Sequence, residues 1–356
     1  MPKIIVISAG GTIDSAAVGG KISLSHSHGI IDRYCEKFNI DKSVFDCRSV
    51  INVLSENMQI SDLQRLVDYL YDVLGTLPSD SEKSEYSGII ITHGTDTLAF
   101  TANLLGIIFS HTKLPIIITG SNLPPNEENS DAFDNIKLCC DFIRLGLPGV
   151  YVAFNGKIHI ATRIGESRPF VHDYPSVIDT PFAVSDGGIR IIEHSCNPCA
   201  DEIRRERPII FKSPPRLGKI MLINPYVGLD YNTVNIYTDC CDAVLHGAYH
   251  TGSVNSSVSD STLKNDKSVP KENIGHKTQD STLIFPNAGY TSEVQNIPEN
   301  TYQSGDIFSF IRRCRLANMP IFLGPVEDGK LYDGQDRVRN SGAITFSGLP
   351  FITAWA

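Results

Sequence analysis

Three short runs of branched apolar residues dominate the hydrophobic pattern of the first half of the chain. Residues 4–7, 89–91 and 116–118 contain no polar position, which is typical of strands buried on both faces of a parallel sheet. Each run is followed by glycine and hydroxyl residues, in the sequences Ser8-Ala9-Gly10-Gly11-Thr12, Thr92-His93-Gly94-Thr95 and Thr119-Gly120-Ser121. Because parallel strands have their carboxyl ends at one edge of a sheet, we expect these residues to line one crevice.

Segments with helical spacing separate the apolar runs. Ser61 and Gln64 have the spacing of a capping box and predict that a helix starts at Ser61. This helix carries an amphipathic stripe at Leu63, Leu66, Val67, Leu70 and Leu74. Short strands that alternate with such helices predict an α/β fold, with a larger N-terminal domain built on a doubly wound, mostly parallel sheet that has helices on both faces.

A change of composition predicts the domain boundary. Prolines, arginines and lysines accumulate after residue 175, so we assign residues 1–190 to the N-terminal domain and 191–215 to an interdomain connection. Residues 216–356 are predicted to form a smaller C-terminal α/β domain, whose last strand is expected at 319–324. A polar stretch around 255–301 is interpreted as a flexible insertion.

Composition narrows the functional classes. Of the 356 residues, 41% are hydrophobic and 20% charged, as is ordinary for a soluble globular protein. The net charge of −9, from 31 basic and 40 acidic residues, argues against a nucleic acid as the main partner. No apolar run has the length of a signal segment or a membrane span, so we predict a cytoplasmic protein without a membrane partner.

The cysteines and the histidines predict no metal site. Nine cysteines, an odd number, favour reduced thiols over a disulfide framework. Cys196-Asn197-Pro198-Cys199 is a C-x-x-C sequence without a second pair of ligands at zinc-site spacing. His26 and His28 lie in a stretch, residues 14–29, whose composition predicts a loop that forms a lid beside the crevice.

The predicted crevice suits a small polar ligand. Hydroxyl and backbone N–H groups at strand ends bind such ligands, or stabilise the oxyanion that forms in acyl transfer. A purely structural alternative is that Thr95 or Asp96 only caps the helix that starts near Leu98.

Two of the strand-end sequences resemble a known family. Ala-Gly-Gly-Thr-Ile at 9–13 and His-Gly-Thr-Asp-Thr at 93–97 are similar to the two signature motifs of the bacterial-type L-asparaginases. The resemblance continues, in the same order, through residues 54–58, 119–124, 130–131 and 149–155, and more loosely through 246–252 and 342–344. It implies an asparaginase/glutaminase-type fold of two α/β domains that works as a homodimer or homotetramer, without a metal or an organic cofactor.

The resemblance also implies roles for individual residues. Thr12 corresponds to the nucleophile, and Thr95 to a second catalytic threonine with Asp96 beside it. Ser55 and Glu56 match positions that bind the α-carboxylate and α-amino groups of the substrate. Further substrate-binding positions are expected at Gly94 and Ser121. Acidic groups facing the ammonium of a free amino acid, with hydroxyls facing its carboxylate, are chemically consistent with such a ligand.

Two departures from the family pattern concern the activation of the threonines. The family has a tyrosine 10–15 residues after the first threonine, whereas this chain has none between Ile13 and Arg33. A catalytic lysine is also expected after residue 155, and alternative alignments place Arg163 or Glu166 there. Arginine stays protonated near neutral pH and does not act as a base. A glutamate at that position would bring a second negative charge beside Asp96.

Three functional hypotheses follow from these residues. The first is hydrolysis of the side-chain amide of L-asparagine to L-aspartate and ammonia through a threonine nucleophile. The second is a catalytically weakened or inactive asparaginase-like protein that binds an amino acid. The third is an amidase that acts on glutamine or on aminoacyl-tRNA, against which the acidic net charge argues.

Overall fold

A computed structural model describes residues 2–18, 21–24, 29–77, 84–168, 170–236, 238–255, 305–326, 337–347 and 353–354. The chain forms two compact units, divided between Gly218 and Lys219. Thr353 and Ala354, close to the C-terminus, belong to the first unit. The insertion expected around 255–301 lies, apart from Asn255, outside the described residues, as do His26 and His28.

The first unit is built on an eight-stranded sheet. Its ten strands, including a separate two-stranded hairpin of β2 and β3, are β1 (Lys3–Gly10), β2 (Ser15–Val18), β3 (Lys21–Leu24), β4 (Phe45–Val53), β5 (Tyr86–Thr92), β6 (Pro115–Thr119), β7 (Gly149–Phe154), β8 (Lys157–Ile160), β9 (Ala183–Ser185) and β10 (Ile189–Ile191). The order in the main sheet is β4-β1-β5-β6-β7-β8-β9-β10. The first five strands in this order are parallel and the remaining pairs are antiparallel.

Helices cover both faces of this sheet, as the sequence predicts. They are α1 (Gly29–Phe38), α2 (Ile60–Thr76), α3 (Leu98–Ile108), α4 (Ala132–Ile143) and the short α5 (Ala200–Arg204). Alternate residues of one strand enter different cores: Ile89 and Ile91 pack with α2 and α3, whereas Ile90 packs with α1 and α4. All three side chains are fully buried, which explains why the run shows no polar alternation.

The crossover through α4 has the opposite hand to its neighbour. Both the β5–α3–β6 and the β6–α4–β7 connections step in the same direction across the sheet, but α3 and α4 lie on opposite faces. Nearly all parallel crossovers are right-handed, so one reversed connection is uncommon. The loop between β6 and α4 follows the carboxyl end of β6 and so lies at the edge where the parallel strands end.

The start of α2 differs from the prediction. The helix begins at Ile60, and Gln59, not Ser61, is the N-cap residue. The backbone N–H of Gln59 donates to the carboxylate of Asp62, 2.9 Å away, and completes a capping box earlier in the sequence than expected. The helix therefore starts one residue before Ser61, where the Asp62 carboxylate accepts from the backbone N–H of Gln59.

The predicted interdomain connection is wrong, because residues 191–215 belong to the first unit. Ile203 is buried in the core beside α4. Gln64 on α2 accepts from the N–H of Leu217 at 2.8 Å and donates to the carbonyl of Pro215 at 3.0 Å. The hydroxyl of Tyr71 donates to the carbonyl of Phe211 at 3.1 Å. Prolines that suggested a linker therefore lie in a segment that is fastened along a helix.

The predicted lid also differs from the structure. Ser15 and the residues after it form the β2–β3 hairpin instead of an irregular loop, and Asp14 and Ser15 are buried. Glycine-rich composition concealed a strand pair whose register runs from Ser15 opposite Leu24 to Val18 opposite Lys21.

The second unit is a smaller α/β unit. Its elements are β11 (Ile220–Ile223), β12 (Ala243–Gly247), α6 (Ile307–Leu316), β13 (Ile321–Gly324) and β14 (Ile344–Thr345). The four strands are parallel in the order β11-β12-β13-β14. The sequence predicts β13 as the last strand, but β14 follows it; two residues are too few to produce a hydrophobic pattern. The α/β fold class is confirmed, and none of the described helices is long and apolar enough to cross a membrane.

Candidate active site

The two glycine-rich segments predicted to share a crevice are in direct contact. A Cβ atom added to Gly11 would lie 2.2 Å from both N and Cα of Gly94. Gly11 also has a φ of +83°, a conformation that side chains other than glycine rarely adopt. Glycine is therefore required here on two grounds, and the contact places the segment after β1 against the segment after β5.

Ser55, in the segment after β4, also packs against Gly94. A Cβ on Gly94 would lie 2.5 Å from Ser55 Oγ and 3.2 Å from Gly11 Cα. Ser55 is 3% exposed, in a 3₁₀ turn (Ser55–Asn57) that follows β4. Its Oγ donates to the Asp96 carboxylate at 3.3 Å and accepts from the Asp96 N–H at 3.3 Å. The hydroxyl of Thr97 donates to the Ser55 carbonyl at 3.0 Å.

Thr12 begins a 3₁₀ turn (Thr12–Asp14) directly after this contact. Thr12 is partly exposed, while Ile13 and Asp14 behind it are buried. The N–H of Gly11 donates to the Val53 carbonyl at 3.1 Å, so the turn is fixed to the end of β4 as well.

Thr95 is held from two sides. A Cβ on Gly120 would lie 3.3 Å from the Thr95 methyl carbon, so the residue after β6 packs closely against Thr95. The hydroxyl of Tyr174 donates to the Thr95 carbonyl at 2.5 Å. Burial raises the pKa of Tyr174, and the nearby Asp96 carboxylate adds to that shift, so this hydroxyl remains a donor.

His93 is a buried support for the turn. Its Nδ1 lies 2.8 Å from the Gly94 carbonyl and its Nε2 lies 2.8 Å from Thr101 Oγ1 on α3. These partners fit a neutral ring that donates from Nδ1 and accepts at Nε2. Burial lowers the pKa of His93 to about 4, although the Gly94 carbonyl opposes the shift. The ring is therefore uncharged at neutral pH.

The loop between β6 and α4 is tied together by one carboxylate. Asp131 accepts from the N–H of Asn122 at 2.9 Å, from its side-chain amide at 3.1 Å and from the side-chain amide of Asn135 at 3.1 Å. Ser121, predicted to bind substrate, is buried and donates its hydroxyl proton to the Leu123 carbonyl at 2.8 Å. Its hydroxyl holds the turn, and a contact with substrate remains a prediction.

The Arg163 side chain hydrogen-bonds to a residue outside this group, and its catalytic role stays a prediction. Its Nη1 donates to the carbonyl of Cys196, in the segment after β10. Glu166, the alternative at the lysine position, is exposed on the segment that pairs with the one carrying Tyr174, through the Gly165 N–H and the Pro175 carbonyl at 2.9 Å. Glu56 is exposed in the 3₁₀ turn after Ser55. Among the hydrogen bonds of the described residues, none joins Arg163 to Thr12, Thr95 or Asp96.

Sequence reasoning missed Asp14 and Tyr174. Tyr174 contacts Thr95 across 79 positions of sequence, and no local pattern marks it. Asp14 carried a signal, a carboxylate two residues after Thr12, but the composition of the following residues suggested a loop.

Two other features do not coincide with this site. A cavity of about 920 Å³ opens instead near His111 and the arginines at 204, 205 and 207, and none of the predicted site residues lines it. Chemistry, not cavity size, therefore identifies the candidate site. Within the described part of the chain, no group of three or more His, Cys, Asp or Glu side chains could hold a metal ion.

Comparison with protein families matches the N-terminal part of the chain. Residues 3–172 match the family model described as asparaginase, N-terminal. An L-asparaginase of Thermococcus kodakarensis is 36% identical over 169 residues, which cover 46% of this chain and 47% of that protein. One of the subunits of the glutamyl-tRNA(Gln) amidotransferase of Methanopyrus kandleri is 26% identical over 259 residues, 67% of this chain and 53% of that protein. The chain thus spans about half the length of the curated relatives it matches.

Solved structures share the fold along nearly the whole chain. The thermostable L-asparaginase from Thermococcus kodakarensis superposes with a TM-score of 0.67 at 21% identity and covers 99% of this chain and 90% of that one. L-asparaginase I from Vibrio cholerae gives a TM-score of 0.63 at 17% identity and covers 100% and 91%. At such identities the likeness establishes the architecture alone.

Proposed function

The chain belongs to the asparaginase family through residues 3–172, and from this premise we propose that it hydrolyses the side-chain amide of L-asparagine to L-aspartate and ammonia. The observation that supports the proposal is the contact between Gly11 and Gly94, which brings Thr12 and Thr95 to one edge of the sheet. Ser55 and Asp96 join them there through mutual hydrogen bonds.

In the proposed reaction the hydroxyl of Thr12 attacks the amide carbon. The hydroxyl proton passes to the amide nitrogen, the C–N bond breaks and ammonia leaves. Water then hydrolyses the threonyl ester, which releases L-aspartate and restores the Thr12 hydroxyl. Asp96 and Glu56 bind the ammonium of the substrate and Ser55 its carboxylate, so that the amino acid is held by the charges at its Cα end. Thr95 is the second hydroxyl beside the reacting amide, and the Tyr174 hydroxyl holds the backbone of Thr95 in place.

A second candidate function, binding of an amino acid with weak or no turnover, rests on the surroundings of Arg163. Its guanidinium donates to the Cys196 carbonyl, and arginine remains protonated near neutral pH, so it does not supply the general base. Loss of a general base lowers a rate by about 10²–10⁴-fold. The relatives named as components of glutamyl-tRNA(Gln) amidotransferases make glutamine the alternative amide source to test.

We further propose a cytoplasmic homodimer or homotetramer that works without a metal or an organic cofactor. Size-exclusion chromatography with light scattering measures the oligomeric state. A monomer at working concentrations would contradict that part of the proposal.

Ammonia release from L-asparagine and from L-glutamine tests the reaction. We expect Thr12→Ala and Thr95→Ala to lower the rate by about 10²–10⁴-fold, because each removes a hydroxyl from the reacting centre. Thr76→Ala is the matched control, since the Thr76 hydroxyl donates to Val73 at the end of α2. Full activity in both site variants would reject the proposal. A rise in melting temperature with L-aspartate, without any turnover of either amide, would establish the binding function instead.

A further inference from the structure

We propose that Asp14 is a positioning residue for Thr12, whose carboxylate ties the turn carrying that threonine to the ends of β1 and β5. The inference rests on the proposed function, because it concerns the same threonine hydroxyl. Asp14 itself lies beneath the turn and is 1% exposed, so it acts through the backbone and not by touching the substrate.

Two neighbouring strands offer their hydroxyl groups to this carboxylate. Ser8 of β1 and Thr92 of β5 are paired directly in the parallel register. Ser8 Oγ donates to Asp14 Oδ2 at 2.7 Å, and Thr92 Oγ1 donates to the same oxygen at 2.5 Å. One carboxylate oxygen thus joins Ser8, near the end of β1, to Thr92, the last residue of β5.

The turn is closed around the same point. The Asp14 N–H donates to the Gly11 carbonyl at 3.1 Å, and the Ser15 hydroxyl donates to that carbonyl at 2.7 Å. Thr12 lies between these anchors, at positions 11 and 14. Its backbone therefore has little freedom to move relative to Gly94, on which Gly11 packs.

The chemistry of a buried carboxylate favours an orienting role. Burial raises the pKa of Asp14, while the hydroxyls of Thr92 and Ser8 and the N–H of Gly10 oppose that shift. An apolar side chain would fill the same space without this desolvation penalty. The carboxylate, unlike an apolar side chain, accepts hydrogen bonds from two strands, and these fix the position of the turn.

Thr12 and Thr95 must approach the same amide carbon, and they lie in the segments that follow β1 and β5. A misplacement of about 1 Å in an active site lowers a rate by about 100-fold. We therefore expect Asp14→Ala to lower kcat for ammonia release by about 10- to 100-fold, with KM changed less than about twofold, since Ser55 and Asp96 are untouched.

Two further variants separate positioning from folding. Asp14→Asn keeps an oxygen acceptor for both hydroxyls and is expected to recover most of the lost kcat. Asp62→Ala is the matched control, because Asp62 is also a buried carboxylate with a structural hydrogen bond, to the Gln59 N–H at the start of α2. It is expected to lower the midpoint of urea unfolding while kcat stays within about twofold.

A double-mutant cycle gives the most specific test. Thr92→Val removes one donor to Asp14 at nearly constant shape, so its effect on kcat should vanish when Asp14 is already alanine. Additive effects, or full kcat in folded Asp14→Ala, would overturn the proposal. If Asp14→Ala fails to fold, Thr92→Val and Asp14→Asn carry the same test, with a loss of kcat expected from the former alone.

A crystal structure keeps this inference separate from the proposed function. Should the unmodified protein release no ammonia, the proposed reaction fails, yet the position of Thr12 is still measurable. We expect the turn at 12–14 to shift relative to Gly94 in Asp14→Ala or Thr92→Val. An unchanged turn overturns the positioning role whatever the activity.

Discussion

Replacement of Gly94 by alanine tests the contact on which the candidate site depends. The added methyl group would lie 2.5 Å from Ser55 Oγ, 2.6 Å from Ser55 Cβ and 3.2 Å from Gly11 Cα. The first two distances are about 1 Å shorter than the 3.5–4.0 Å at which carbon atoms attract each other. Ser55 cannot rotate away, because its Cβ is itself one of the clashing atoms, so the backbone on one side must move.

Overpacking of this kind costs about 1–3 kcal/mol of unfolding free energy. A shift of Ser55 also breaks its hydrogen bonds with Asp96, and we expect ammonia release by Gly94→Ala to fall by at least about 10-fold. Gly75→Ala is the matched control, since a Cβ there has no heavy atom within 4 Å. Gly75 is the next-to-last residue of α2, where alanine is expected to stabilise the helix by at most about 0.5–1 kcal/mol.

Urea unfolding followed by circular dichroism, with ammonia release measured on the same samples, gives both quantities. The two glycine variants should change stability in opposite directions. Gly94→Ala with unaltered stability and full activity would show that Ser55 does not pack against Gly94, and the site as described would be refuted.

Two further predictions concern His93 and Arg163. The pKa of His93 falls from 6.5 to about 4 on folding, so the neutral ring contributes stability that is fully present above pH 6.5 and is lost as the pH falls towards 4, by up to about 3 kcal/mol. Urea midpoints that fall as far between pH 7 and pH 4 in His93→Gln as in the unmodified protein would contradict this. Arg163→Gln removes a donor to the Cys196 carbonyl and should lower the unfolding free energy by about 1–2 kcal/mol, while kcat stays within about threefold. A loss of kcat above 100-fold in folded protein would instead support the catalytic role that the sequence suggested.

Local patterns predicted the elements of the sheet well. The runs at 4–7, 89–91 and 116–118 lie in β1, β5 and β6, because residues buried on both faces leave no polar positions in a strand. The stripe on α2 is likewise confirmed, since burial of one helix face imposes its spacing directly on the sequence.

The sequence predictions were wrong in segments whose composition fits more than one kind of structure. Prolines between 191 and 215 suggested a linker, but a segment fastened to α2 through Gln64 and Tyr71 needs no regular structure and tolerates prolines equally well. The residues after Asp14 suggested a loop, yet small and polar residues also form the β2–β3 hairpin.

The sequence by itself determined that glycines and hydroxyl residues follow three buried parallel strands, which was enough to predict one shared edge and the family resemblance. Only the tertiary structure decided which of these groups meet. Ser55 and Asp96 are 41 positions apart, Asp14 and Thr92 are 78 apart, and Arg163 turns to Cys196, 33 positions away. Burial repeats with the period of a strand or helix and so produces a hydrophobic pattern in the local sequence. A hydrogen bond between distant residues depends on how the strands are ordered, and no local sequence pattern indicates it.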